Sequence, residues 1–340
     1  MKFLFNNSAD FIKLILILSF LSFAGTGCKG RYEPGSEKKD GIEYLNCSDI
    51  ESEIDEQTIK VGILTLEQNK SEITIKGIPT SIIKLGLLAG IHDSSKSTGE
   101  NISEFIQQFK RTRVQAIAVL GGLGTLHTEI EESLNILKQA AVPILLIPGA
   151  DESFPEFHKA LAKFRVKNPQ FIDMTRVRKV IMKQVALISL PGYTNPYYLD
   201  AKDQGCSFSS NDIENLENFT DSKHVPVLLS PTPPKTSGNT GPDTGRGSIN
   251  IGDSEITKFM IDNKVNFALS GIIYESGGNG VSIKKFKPVQ KGIWSTSLLL
   301  QTGSGAATAI ELADKGRSSG MAQIVEFSGN KGRYKTLYPN

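Results

Sequence analysis

From residue 58 onward the chain alternates short apolar runs with longer stretches in which apolar residues recur every three or four positions. The runs 59–64, 82–88, 116–120, 142–147, 185–190, 225–229 and 267–269 are rich in Val, Ile and Leu and mostly bounded by Gly or Pro, which predicts buried strands. Between them, 100–111, 128–140 and 254–263 carry the spacing of amphipathic helices, with acidic residues near their starts. Strand and helix in alternation predict an α/β domain. Beyond residue 283 helix signals thin out, and β-type runs at 297–301 and 322–327 predict strands that close the sheet system.

The first 43 residues follow another pattern. Lys2 and Lys13 flank an apolar run, 14–24, that ends at Gly25-Thr26-Gly27-Cys28. Its roughly 11 residues fall short of the ~18–20 that span a bilayer, so the segment reads as a secretory signal rather than a permanent membrane helix. Small residues before Cys28 resemble the lipobox of bacterial lipoproteins, although Gly25 stands where Leu is usual. The resemblance implies cleavage after residue 27, lipidation of Cys28, and a membrane held through acyl chains. A plain secretory site is the alternative. Residues 28–43 are rich in charge, Gly and Pro with no apolar period and read as a tether, leaving 44–340 as one folded domain.

The remaining composition narrows the chemistry. A formal net charge of +2 gives no global field for nucleic acid, so no nucleic-acid partner is expected. Three cysteines and four histidines are too few for a disulfide framework or a zinc-finger array. In an oxidising envelope compartment Cys47 and Cys206 either pair or stay as two separate buried thiols, and the sequence leaves both open.

Five predicted strands run into short loops at their C-terminal ends: Gly90-Ile91-His92-Asp93, Gly121-Gly122-Leu123-Gly124, Gly149-Ala150-Asp151-Glu152, Ser230-Pro231-Thr232-Pro233-Pro234 and Gly271-Ile272-Ile273-Tyr274. In an α/β sheet such loops gather at one edge, where ligands usually sit. In order, spacing and flanking residues, these five resemble the calcineurin-like metallophosphoesterases over about 82–327. That family reads Asp-x-His, Gly-Asp, Gly-Asn-His-Asp/Glu, a His before a Pro-rich turn, and Gly-His-x-His. The resemblance implies a four-layer α/β/β/α sandwich with a two-metal site at this loop edge.

The family's ligands are almost all replaced. Its first Asp falls on Gly90, the bridging Asp on Gly122, the Asn on Ala150, the His of the Pro-rich turn on Pro231, and the last two His on Ile272 and Tyr274. Only His92 remains. Asp151 stands where relatives carry a His that assists the reaction. Gly, Ala, Pro and Ile donate nothing to a cation, and a carboxylate at 151 repels a phosphate ester when no metal compensates it. A rebuilt site for one divalent metal ion around His92, Asp93, Asp151 and Glu152 is the competing reading. Glu275 also lies on this edge.

Lesser candidates are 121–124 and 302–306, whose backbone N–H groups could face an anion, and the loop residue Arg246. None matches a phosphate-loop pattern. His127, His158 and His224 have no paired nucleophile in the sequence. The expectation is an envelope lipoprotein, at the outer membrane given Lys29 after Cys28, whose domain binds or scaffolds a protein partner without catalysis or cofactor. The alternative is a metal-dependent phosphoesterase, a hydrolase with a reduced site.

Overall fold

The computed structural model describes residues 45–47, 56–93, 95–194, 204–238 and 240–339. The predicted signal, Cys28 and the tether lie outside these. Among the described residues no helix is long and apolar enough to cross a membrane.

Fifteen strands form two principal sheets. In chain order they are β1 (Glu56–Val61), β2 (Leu64–Asn69), β3 (Glu72–Lys76), β4 (Ile83–Leu88), β5 (Ala116–Leu120), β6 (Ile144–Ile147), β7 (Phe171–Asp173) and β8 (Lys179–Met182). They continue with β9 (Val185–Ser189), β10 (Val225–Leu229), β11 (Phe267–Ser270), β12 (Gly280–Val281), β13 (Leu298–Gln301), β14 (Ala322–Ser328) and β15 (Lys331–Leu337). The first sheet has the order β15-β14-β4-β5-β6-β7, the second β12-β13-β11-β10-β9-β8-β3-β2-β1. The helices are α1 (Lys96–Thr112), α2 (His127–Leu137), α3 (Phe154–Arg165), α4 (Ser210–Asn215) and α5 (Ser254–Asp262).

Alternation within the strands sorts their side chains into three cores. Leu85, Leu87, Ala118 and Leu145 of the first sheet meet Leu187, Val227, Leu269 and Leu300 of the second in one cluster, so the sheets pack face to face. Phe267 and Phe327 meet edge to face across that interface at 5.4 Å. The opposite face of the first sheet, including Leu88, Ile117 and Leu146, packs on α1–α3 through Ile102, Phe105, Leu134 and Phe157. That of the second, Ile188, Leu228 and Leu299, packs on α4 and α5 through Ile213, Ile256 and Phe259. The layers are α/β/β/α, as expected. Strands β4–β7 are parallel, as are β9, β10, β11 and β13. Their C-terminal ends carry the five loops.

Two expectations are corrected. The run 59–64 is not one strand: Gly62, with φ +59°, turns the chain, Ile63 is 75% exposed, and β1 pairs back on β2. A continuous apolar run cannot distinguish a strand from a hairpin whose tip is apolar. Helix α3 and strands β2, β3, β7, β8 and β15 were not anticipated from the pattern. The helix was legible, since Phe154, Phe157, Leu161 and Phe164 lie three and four apart, and Phe157 and Leu161 are buried.

Cys47 and Cys206 form a disulfide with Cα atoms 5.4 Å apart, both fully buried. The bond closes a span of 159 residues. It lies beside the loop edge, where Tyr193 N–H donates to Cys206 O at 2.9 Å and Phe154 N–H to Gln204 O at 2.8 Å.

Candidate functional site

The loops after β4 and β5 are stitched by their backbones. Gly90 N–H donates to Gly121 O at 3.0 Å and Ile91 N–H to Gly122 O at 2.8 Å. Gly90 and Gly122 both adopt positive φ, +53° and +76°. A Cβ at 122 would sit 2.4 Å from Gly90 Cα and 2.7 Å from the Tyr274 hydroxyl. A Cβ at 90 would sit 2.8 Å from Tyr274 Cζ and 2.9 Å from Ser304 Oγ. These positions therefore accept glycine alone, for conformation and for space.

What bars a side chain there is Tyr274 itself. Its phenol lies over both glycines and donates a hydrogen bond to Asp151 Oδ2 at 3.2 Å. Burial, reinforced by the charges of Asp151 and Glu152, raises its pKa well above the ordinary value, so the group is a neutral donor. Around it the packing is apolar. Pro231 Cβ and Ile272 Cδ1 stand 3.3 and 3.4 Å from where a Cβ of Gly149 would be, and Ala150 is 2% exposed.

Three of the four residues of the competing metal reading have separate engagements, and the fourth, His92, has its Nε2 buried without a hydrogen-bond partner. Glu152 is fully buried and spreads its oxygens between loops, accepting from Leu123 N–H at 2.7 Å and Gly149 N–H at 2.8 Å. Burial first, then the Asp151 charge, pushes its pKa up to about 7 against the pull of those N–H groups. Asp93 accepts from Ser95 N–H at 3.0 Å, Thr308 hydroxyl at 2.7 Å and Thr308 N–H at 3.2 Å. Burial alone would raise its pKa, but hydrogen bonds from Thr98, Thr308 and Ser95 outweigh that and hold the carboxyl below the usual range. Asp151 receives the tyrosine. His92 Nε2 lies 3.9 Å from Glu132 Oε2, too far for a hydrogen bond. Among the described residues no group of three or more His, Cys, Asp or Glu is placed to hold a metal ion.

The implied metal pair can be tested against this donor set. Two adjacent cations need several converging O or N ligands. Positions 90, 122, 150, 231 and 272 supply none, and a phenol occupies the space between them. The residues present do not fit a two-metal centre.

The anion readings weaken for a related reason: the protein's own carboxylates and carbonyls hold several of the N–H groups in and beside these loops. Thr125 and Leu126 N–H donate to Glu129 Oε2 at 2.8 and 3.1 Å, Leu123 N–H to Glu152, and His127 N–H to Glu156 at 3.0 Å. In 302–306, Thr302, Gly305 and Ala306 N–H donate to backbone carbonyls at 2.8–2.9 Å. Arg246 pairs with Glu275 at 3.1 Å. The other histidines each face a carboxylate, His127 with Glu156 at 2.5 Å, His158 with Asp173 at 3.6 Å and His224 with Asp221 at 2.9 Å.

Sequence reasoning placed Tyr274 on this edge but did not foresee it as the filler. The signal was available in volumes, since two positions shrink to glycine where a histidine position grows to tyrosine. It also missed Asp243, fully buried, which organises the loop after β10 by accepting from Thr236, Asn250 and Gly252.

No protein-family description matches the sequence, and no curated protein does. Solved structures do. One, of a protein without a descriptive name, aligns at TM-score 0.54 and 10% identity over 75% of this chain and 98% of that one. A dimetal phosphatase from Danio rerio aligns at 0.49 and 10% identity over 76% and 99%. A purple acid phosphatase from yellow lupin aligns at 0.43 and 9% identity over 80% and 55%. The layer order described above is the α/β/β/α sandwich that the sequence resemblance implied. At such identities the likeness is one of fold alone.

Proposed function

We propose that this chain is a non-catalytic envelope lipoprotein, anchored to the outer membrane through Cys28, whose metallophosphoesterase-like domain serves as a binding or scaffold surface for a protein partner. The observation that carries this reading is the seat of Tyr274 over Gly90 and Gly122. Phosphoester hydrolysis on this scaffold needs cations beside the attacking and leaving oxygens. Here an uncharged phenol fills the middle of the loop cluster, and Asp151 and Glu152 add charge of the wrong sign for a phosphate.

The test is metal content by elemental mass spectrometry on the purified full chain after incubation with manganese, zinc and iron, followed by a screen with a chromogenic phosphodiester. The expected result is metal far below one equivalent and no turnover. Metal at one equivalent, lost in both His92→Ala and Asp151→Ala, would establish the metal-dependent phosphoesterase instead. Incorporation of labelled palmitate, abolished by Cys28→Ala, tests the anchor separately.

A further inference from the structure

We propose that the end of the domain opposite the loop cluster is a contact surface for an anionic lipid headgroup layer. Two grooves open there, about 410 and 540 Å³, and they share Thr112 at the end of α1. Their linings carry Lys84, Arg113, Lys291, Arg333 and Lys335 against one acid, Glu326. That acid is consumed, pairing with Lys84 at 3.2 Å and Arg333 at 2.6 Å. Asp314 acts on Lys291 through its charge. Lys331 extends the row along β15, where residues 331, 333 and 335 share one face by strand alternation.

The same end exposes apolar bulk. Ile63 is 75% exposed at the tip of the β1–β2 turn and Ile293 56%. Trp294 lies under the Arg333 guanidinium at 4.5 Å, which fixes that cation in place. Lys331 and Lys335, without an ion pair among the described residues, beside exposed aliphatic side chains fit an interface where headgroup phosphates meet acyl chains. On a chain whose net charge is only +2, this concentration is local. A soluble polyanion would use the charges and leave Ile63 and Ile293 without a role. Charge and exposure at this end carry the contact without the anchor at Cys28, so it stands or falls independently of the lipoprotein reading.

The full chain carrying Cys28→Ala removes acylation from the measurement. It is floated with vesicles of phosphatidylcholine alone or mixed with phosphatidylglycerol, at low salt and at about 1 M, where screening falls to about 3 Å. Expected is at least tenfold tighter binding to the mixed vesicles, erased by salt. Neutralising Lys291, Lys331 and Lys335, for which no ion pair is found among the described residues, weakens it about fivefold each and about a hundredfold together. Lys96→Gln, at the loop end, changes it less than twofold. Equal binding to both vesicles, an equal loss from Lys96→Gln, or capture by heparin without capture by the mixed vesicles each overturns the proposal. The salt and lipid comparison on the unneutralised chain needs no stable lysine variant.

Discussion

The two ends of the sheets treat charge in opposite ways. At the loop end each carboxylate of the predicted site has a protein donor: Glu152 holds Leu123 and Gly149, Asp93 holds Ser95 and Thr308, and Asp151 holds Tyr274. At the other end, Lys331 and Lys335 project with no ion pair among the described residues. Carboxylates already held by protein donors have little free energy left for a ligand, because binding must first break internal bonds. A region with unanswered charge and exposed apolar bulk gains on contact. At the loop edge the carboxylates are the answered groups, while His92 Nε2, Ser230 Oγ and the side-chain amide of Gln301 are buried there without a hydrogen-bond partner.

The harshest break of that contrast is Gly122→Asp, which restores the family's residue. Its Cβ meets Gly90 Cα at 2.4 Å and the backbone sits at φ +76°. Overpacking and left-handed strain together cost about 4 kcal/mol, a fall in Tm of roughly 10 °C by thermal unfolding. Lys335→Glu, at the open end, stays within about 0.5 kcal/mol. Equal effects would erase the distinction between a filled end and an open one.

Next in size is Tyr274→Ala, which leaves a cavity and costs about 3–4 kcal/mol by denaturant unfolding. It sharpens the picture through a double-mutant cycle with Gly90→Ala. At position 90 the obstacles are side chains, Tyr274 Cζ at 2.8 Å and Ser304 Oγ at 2.9 Å, so removing the ring relieves part of the clash. The two substitutions should couple favourably by about 1–2 kcal/mol. Strict additivity would mean that the ring does not fill the space the glycines vacate.

Much of this was legible beforehand, and the limits have physical causes. Runs such as 116–120 and 225–229 coincide with β5 and β10, because strands buried on both faces need no polar alternation and stand out as apolar blocks. The half-exposed strands β1–β3, with burial alternating along Glu56–Val61, gave a weaker signal: the end of β1 was joined to Leu64 in one run, and the rest of β2 and β3 went unread. At the site, the missing ligands could be read residue by residue. What replaced them could not, since Tyr274 contacts glycines more than 150 residues away in sequence. The pairing of Cys47 with Cys206 likewise depends on contacts across the fold.

Ionisation of Glu152 gives a smaller and pH-dependent test. Its folded pKa of about 7 stands above the ordinary 4.5. Below 4.5 both folded and unfolded states hold the proton, and the group contributes nothing to the pH dependence. Between 4.5 and 7 the unfolded chain releases the proton while the folded one keeps it, so stability falls as pH rises. Above 7 the full penalty of up to about 3 kcal/mol is present. Glu152→Gln removes that slope while losing one acceptor, so its Tm is lower in acid and flatter from pH 4.5 to 7. An unchanged slope in the variant would assign the pH dependence to other groups and make the buried carboxyl an ordinary ionised strut.

Tyr274→Phe is the mildest change and separates the two jobs of the tyrosine. It keeps the ring over Gly90 and Gly122 and deletes only the donor to Asp151. At 3.2 Å that hydrogen bond is at the long end for O–H donors, and its removal costs about 1 kcal/mol. If the ring's volume closes the loop cluster, the phenylalanine variant retains most of the stability lost in Tyr274→Ala. If the two variants lose equally, the contact with Asp151 is what holds the ring. The end would then be kept shut by a polar latch rather than by packing, and agents that compete for Asp151 would be able to open it.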